Sequence, residues 1–283
     1  LMRYMAKSKV KIGTILLYVI LIALTILFLA PIFMVLMNSF KGKLYISSEP
    51  FKLPTSVTFV GLNNYIGGIT KTNFLTSFGY SLFITIASTA VIIFFTSMTA
   101  WYITRVKTKF TGFLYYLIVF SMIVPFQMVM FTMTKIANML HLDNPVGIIV
   151  LYLGFGAGLS VFMYCGFVKS IPVEIEEAAM IDGCNPIQTF FFIVVPLLKP
   201  ITITITILNV MWIWNDYLLP YLVLGSEYKT IPTAVQYLRG GYGAIDMGAM
   251  MALLVLAIVP IVIFYLTCQK YIIEGIAAGA VKG

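Results

Sequence analysis

A chain of 283 residues that is 61% hydrophobic and 10% charged lies far from a soluble domain, in which about a quarter of residues carry charge. Its mean hydropathy is +1.01 and its apolar residues gather in long runs. That excludes an ordinary soluble fold and makes lipid the expected solvent. The net charge of +8 does not indicate nucleic acid, because the basic residues sit at the ends of apolar runs and form no continuous stripe.

A helix of about 20 apolar residues crosses the hydrocarbon core. Six runs reach that length: 12–37, 77–104, 112–137, 146–168, 200–222 and 248–268. The expected fold is an all-α integral membrane protein with six transmembrane helices in a single domain, 1–283. The first run is about twice as long as a signal h-region and no small-residue cleavage site follows it, so no cleavable leader is expected. Pro31, Pro125 and Pro260 lie inside runs. Each removes a helix hydrogen bond and is expected to kink or locally break its helix.

Lys and Arg set the orientation. Arg3, Lys7, Lys9 and Lys11 precede the first run, and Arg105, Lys107 and Lys109 crowd the short second connection. Lys169, Lys199, Lys270 and Lys282 bring that side to 11 basic residues, against seven on the other. The richer side is expected to be cytoplasmic, which places both termini there.

The fourth connection, 169–199, differs from the rest. Pro172 can open a short helix, where its missing N–H is harmless. Glu174, Glu176 and Glu177 then lie near the positive end of the helix dipole. Ala178 and Ala179 keep one surface slim, Asp182 follows, and Gly183 is the expected C-cap. Pro186 can start a second helix carrying Phe190, Phe191 and Phe192, which Pro196 is expected to stop. Such a helix–turn–helix is too short to have its own core, and exposed acids suit it poorly to an anionic membrane face. A groove on a partner protein suits it better.

This segment resembles the signature loop of importer-type ABC permeases: Glu-Ala-Ala, three residues, Gly, nine residues, Ile-x-Leu-Pro. Glu177, Ala178, Ala179, Gly183, Ile193 and Pro196 match in register, while Val195 replaces the family's Leu and Cys184 stands where a small residue is common. The resemblance implies a cytoplasmic coupling helix seated in a cleft of an ATP-binding subunit, with Glu177 facing a basic residue of that partner and Gly183 at the corner.

Three further segments resemble the carbohydrate-uptake group, in particular the shorter of the two paired permeases of maltose-type importers. They are Pro125-Phe126-Gln127, the stretch Trp212-Ile213-Trp214-Asn215-Asp216-Tyr217, and the tail 271–283 ending Gly279-Ala280-Val281-Lys282-Gly283. The resemblance implies a heterodimer with a homologous permease, two ATP-binding subunits or domains, an extracellular sugar-binding protein, and residence in a bacterial cell membrane. It also implies that the Gly-rich outer loop, Arg239, Gly240, Gly241, Tyr242 and Gly243, enters the docked binding protein. Gln127, Trp214, Asn215 and Asp216 are candidates for the translocation pathway. From the residues alone, Asp216 fits either pathway lining or structural hydrogen bonding, and the tryptophans fit either sugar stacking or an interfacial aromatic belt.

No catalytic constellation is visible. No Gly-x-x-x-x-Gly-Lys-Ser/Thr pattern is present, so ATP and Mg are expected on a partner and no cofactor on this chain. Cys165, Cys184 and Cys268 fit no metal spacing, and His141 reads as a loop residue. Two alternatives remain at this point. One is an ABC permease for a non-sugar solute; the other is an ion-coupled secondary transporter, which needs an ionisable relay that the runs almost entirely lack.

Overall fold

The structure, a computed structural model, describes residues 12–238 and 245–280. Its regular structure is helical, and no strand longer than an isolated bridge, such as that between Lys41 and Phe59, occurs among the described residues. In chain order the helices are α1 (Ile12–Asn38), α2 (Lys43–Ser48), α3 (Asn63–Thr72), α4 (Phe74–Arg105), α5 (Lys109–Phe120), α6 (Phe126–Met139), α7 (Gly147–Val168), α8 (Val173–Ile181) and α9 (Pro186–Gln188). A π-helical segment, Thr189–Val194, follows. After it come α10 (Val195–Leu197), α11 (Lys199–Asn215), α12 (Leu218–Leu224), α13 (Ile231–Tyr237) and α14 (Met247–Ala280). The basic cluster Arg3–Lys11, the outer loop Arg239–Gly243 and the end of the tail at 281–283 lie outside the described residues.

The chain divides into two compact units. One holds the described residues up to Lys71 together with Leu238–Leu256; the other holds Thr72–Tyr237 and the described residues from Ala257 onward. In the first unit, α1 is apolar around its whole circumference and exposed from residue 13 to residue 33. A helix of that kind needs lipid or another chain around it. Beyond it the chain is pinned by polar contacts: Ser39 Oγ to Tyr65 OH at 2.7 Å, and Asn64 Nδ2 to the carbonyls of Ser39 and Lys41, both at 2.8 Å. Lys41 is buried and donates to the Glu49 carbonyl at 2.9 Å. Burial pushes its ammonium below the ordinary lysine pKa, and the Glu49 charge offsets part of that shift. Lys71 pairs with Asp246, whose other oxygen accepts from Ala249 N and caps α14.

The second unit is built on α4 and α7, its most extensive helix pair. The buried face of α4 is mostly small residues, Ser77, Ser81, Thr85, Ser88, Thr89, Thr96, Ser97 and Ala100, with Phe74, Ile84 and Ile92 among them. Across from it, α7 offers Gly156, where an added Cβ would lie 2.7 Å from Ile92 Cδ1 and 3.1 Å from Asn209 Oδ1. Small residues on facing helices allow close backbone approach, the usual basis of helix association in lipid.

Among the described residues four helices, α1, α4, α7 and α14, are long and apolar enough to cross a membrane. A fifth crossing is added if the bent pair Pro186–Leu197 and Lys199–Asn215 counts as one. Two of the six expected spans are therefore not continuous helices. The run 112–137 divides into α5 and α6 at 121–125, because Pro125 supplies no N–H and holds the residue before it out of helical geometry. The run 200–222 divides at Asp216, which is extended at φ −73°, ψ 123°. Its Oδ1 accepts from Leu218 N at 3.0 Å and Leu219 N at 3.4 Å, so it starts α12 as a capping carboxylate. Pro31 and Pro260, by contrast, lie within helices that run on unbroken.

Candidate functional site: the loop between α7 and α11

Pro172 stands immediately before α8 in extended geometry, φ −58° and ψ 133°, and so precedes the first turn rather than lying in it. Glu174 and Glu176 occupy that first turn. The far end closes in left-handed geometry at Gly183, φ +92°. Cys184 N bonds to Ala179 O at 3.0 Å and Gly183 N to Met180 O at 3.1 Å. This is a complete Schellman ending, which favours glycine at the corner. Asn185 and Gln188 then form a reciprocal capping box, both bonds 2.9 Å, that starts the second helix.

Pro196 does not stop that second helix. The chain continues through the π-helical segment and α10, with Pro196 near the start of α10, and turns by 76° between Leu197 and Lys199. Leu198 N still bonds to Val194 O at 2.9 Å. The Phe run faces two ways. Phe190 is buried against Trp101, with ring centroids 5.3 Å apart, and joins Val194 and Leu198 in one core with Ala100, Val161, Tyr164, Cys165 and Val168. Phe192 is 70% exposed.

The two neighbouring acids of α8 also part company. Glu176 is buried and Glu177 is exposed. Glu176 Oε1 accepts from Arg105 Nε at 2.9 Å and Nη2 at 2.7 Å, and its Oε2 accepts from Trp101 Nε1 at 2.9 Å. Arg105 Nη2 also reaches the Ile171 carbonyl at 3.1 Å. The end of α4 is thus clamped to α8 by a forked, buried ion pair whose carboxylate oxygens are both occupied. Sequence reasoning missed this clamp. The signal available was Arg105 itself, one of three arginines in a lysine-rich chain, at a place where charge for topology alone needs no fork.

Among the described residues no side-chain ion pair occupies the opposite side of α8 and its turn. Glu177, Ala178, Asp182 and Gly183 are exposed there with Ile181, while Ala179 is buried, Ile193 is half-buried and Pro196 is exposed. The pathway candidates behave differently. Trp214 is buried, donates from Nε1 to Ala257 O at 3.3 Å and stands edge-on to Phe78. Asp216 Oδ2 accepts from Tyr152 OH at 3.1 Å, so both its oxygens have structural partners. Asn215 is exposed and bonds back to Met211 O, and Gln127 is exposed in the first turn of α6. Trp212 sits edge-on to Tyr152 at 5.5 Å. Among the described residues no group of three His, Cys, Asp or Glu side chains can hold a metal ion, and the three cysteines are free.

Residues 92–277 match the family described as binding-protein-dependent transport system inner membrane component. The chain is 40% identical over 262 residues to a probable starch degradation products transport system permease protein of Thermoanaerobacterium thermosulfurigenes, covering 92% of this chain and 94% of that one. It is 35% identical over 288 residues to a multiple sugar-binding transport system permease protein of Streptococcus mutans, covering 98% and 100%. Its fold is similar to that of a chain in the crystal structure of a bacterial ABC transporter involved in the import of the acidic polysaccharide alginate. The TM-score there is 0.75 at 23% identity, covering 95% of this chain and 99% of that one. The chain is a multi-pass membrane protein and belongs to the family of inner membrane components of binding-protein-dependent transport systems.

Proposed function

We propose that this chain is a permease subunit of a bacterial cell-membrane ABC importer for a sugar or oligosaccharide, and that the loop 169–199 couples it to an ATPase. The observation that carries the coupling is the two-sided α8: Glu176 locked inward on Arg105, Glu177 held outward beside Ala178 and the Gly183 corner. A surface carrying the exposed acids Glu177 and Asp182 beside the small residues Ala178 and Gly183 fits a groove carrying a basic side chain. The sugar cargo is supported by the relatives, whose names describe starch products and multiple sugars. Family membership speaks against the ion-coupled alternative.

In this reading α5 with α6, and α11 with α12, are two interrupted spans that complete a single six-span domain. The Lys- and Arg-rich side and both termini are cytoplasmic. The chain pairs with a homologous permease, two ATP-binding subunits hold ATP and Mg, and the chain itself hydrolyses nothing. ATP binding on the partners shifts the permease between inward- and outward-facing states by acting on the clamped loop.

Glu177→Lys tests the coupling. Like charges across an interface cost several kcal/mol, so ATP-driven uptake should fall roughly tenfold or more while the protein still inserts. Unchanged uptake and unchanged co-purification of the ATPase would sink the assignment. On the outer side, valine at Gly240, Gly241 and Gly243 should cut uptake several-fold by blocking entry of the loop into the sugar-binding protein. Wild-type uptake in that variant rules the insertion out.

A further inference from the structure

A cleft of about 530 Å³ opens where the end of α4, the start of α5 and the end of α7 meet. Lys107, Lys109 and Lys169 line it, with Tyr115 and Tyr116 beside them and buried Cys165 and Thr111 in its wall. None of the ion pairs among the described residues involves these lysines. Glu176, the acid held at the end of α4, is already committed to Arg105 and Trp101. Lys169 Nζ lies 5.9 Å above the Tyr115 ring, which leaves its ammonium at the cleft. Three lysines therefore line one cavity with no carboxylate among its lining residues.

The position of the cleft and its surroundings define the ligand. Three apolar helices end or begin here, so the cleft lies at the level of the headgroups. Basic pockets between spans on the cytoplasmic side attract anionic headgroups. From the cleft an exposed apolar stripe runs along α5 at helical spacing: Phe113, Tyr116, Leu117 and Phe120, each more than half exposed. A soluble phosphate ester has no use for that stripe, whereas an acyl chain does.

We propose that this cleft binds an anionic phospholipid, its phosphate held among Lys107, Lys109 and Lys169 and an acyl chain laid along the α5 stripe. The site rests on the cytoplasmic placement of the Lys- and Arg-rich side proposed above and is independent of the coupling role of the loop.

The test uses the intact transporter complex, equilibrated in bilayer discs with equal phosphatidylglycerol and phosphatidylcholine, extracted in detergent and weighed by native mass spectrometry. Phosphatidylglycerol should be retained and phosphatidylcholine lost. A lysine near an anionic headgroup is worth about a fivefold change in binding, so Lys169→Gln should lower retention about fivefold and the triple glutamine variant about 100-fold. Lys169→Gln leaves the charges of the 105–109 connection in place, so its topology is not at risk. Millimolar glycerol phosphate should not displace the lipid; displacement makes the ligand a soluble ester and overturns the lipid assignment. Equal retention of both lipids, or a triple variant that holds as much phosphatidylglycerol as wild type, also overturns it. So does a triple variant that keeps the lipid but loses the ATPase subunits, which makes the cleft a protein contact.

Discussion

Arg105→Ala should abolish ATP-driven uptake and destabilise the folded chain by about 3–5 kcal/mol, the usual consequence of removing one partner of a buried ion pair. The substitution leaves Glu176 buried, with Trp101 Nε1 as its one remaining donor among the described residues. Its carboxylate loses both arms of the guanidinium fork, at 2.9 and 2.7 Å. Arg105→Lys should recover only part of the loss, because a single ammonium cannot bridge both Glu176 and the Ile171 carbonyl in the same planar geometry. The double variant Arg105→Met with Glu176→Gln separates stability from transmission. Replacing both charges by neutral groups is often nearly neutral for stability, so thermal unfolding in detergent should return close to wild type. Uptake per ATP hydrolysed should stay low, because the stiff link between α4 and α8 is gone. If uptake recovers along with stability, the pair is merely structural.

Gly147→Ala is expected to destabilise the chain by about 1–3 kcal/mol through overpacking. An added Cβ would lie 2.4 Å from Leu142 Cα and 2.5 Å from its carbonyl oxygen, and backbone atoms cannot swing aside. The approach to α7 that would have to shift is tightly fixed. Leu142 N bonds to Ala137 O at 2.8 Å, His141 sits at φ +55°, and Asn144 Oδ1 accepts from Gly147 N at 2.9 Å. Gly154→Ala in the same helix is the control, since nothing lies within 4 Å of its added Cβ. It should be neutral or slightly stabilising, as a helix-interior glycine gives up about 0.5–1 kcal/mol to alanine. Equal unfolding temperatures for the two variants would contradict the close approach.

The long apolar runs were legible because lipid demands helices of a set length, and α1, α4, α7 and α14 fall within a few residues of the expected limits, apart from the C-terminal extension of α14. The Gly183 corner was legible because a left-handed C-cap has a strong residue preference. The interruptions were only half legible. Pro125 announces a break, but the residues alone leave Asp216 between pathway lining and structural hydrogen bonding near the end of one span, and do not show that its carboxylate caps a new helix. Pro196 misled in the opposite sense, because a proline near the start of a helical turn lacks only an N–H that needs no partner there. The clamp was hidden because it joins residues 71 positions apart, and composition cannot pair Arg105 with one of three clustered glutamates.

The adjacency of Glu176 and Glu177 has a consequence for how this loop tolerates change. Successive helical residues point about 100° apart, so the two carboxylates differ in chemical role only by angular phase. Deletion of one residue between Pro172 and Glu176 would rotate the outward acid toward Arg105 and swing the inward one away, and insertion of one would turn both acids away and leave Ile175 in the inward position. Charge, composition and helix length would be almost unchanged. Point substitutions around α8 are therefore tolerable in many places, whereas a shift of a single position should be as damaging as loss of the arginine.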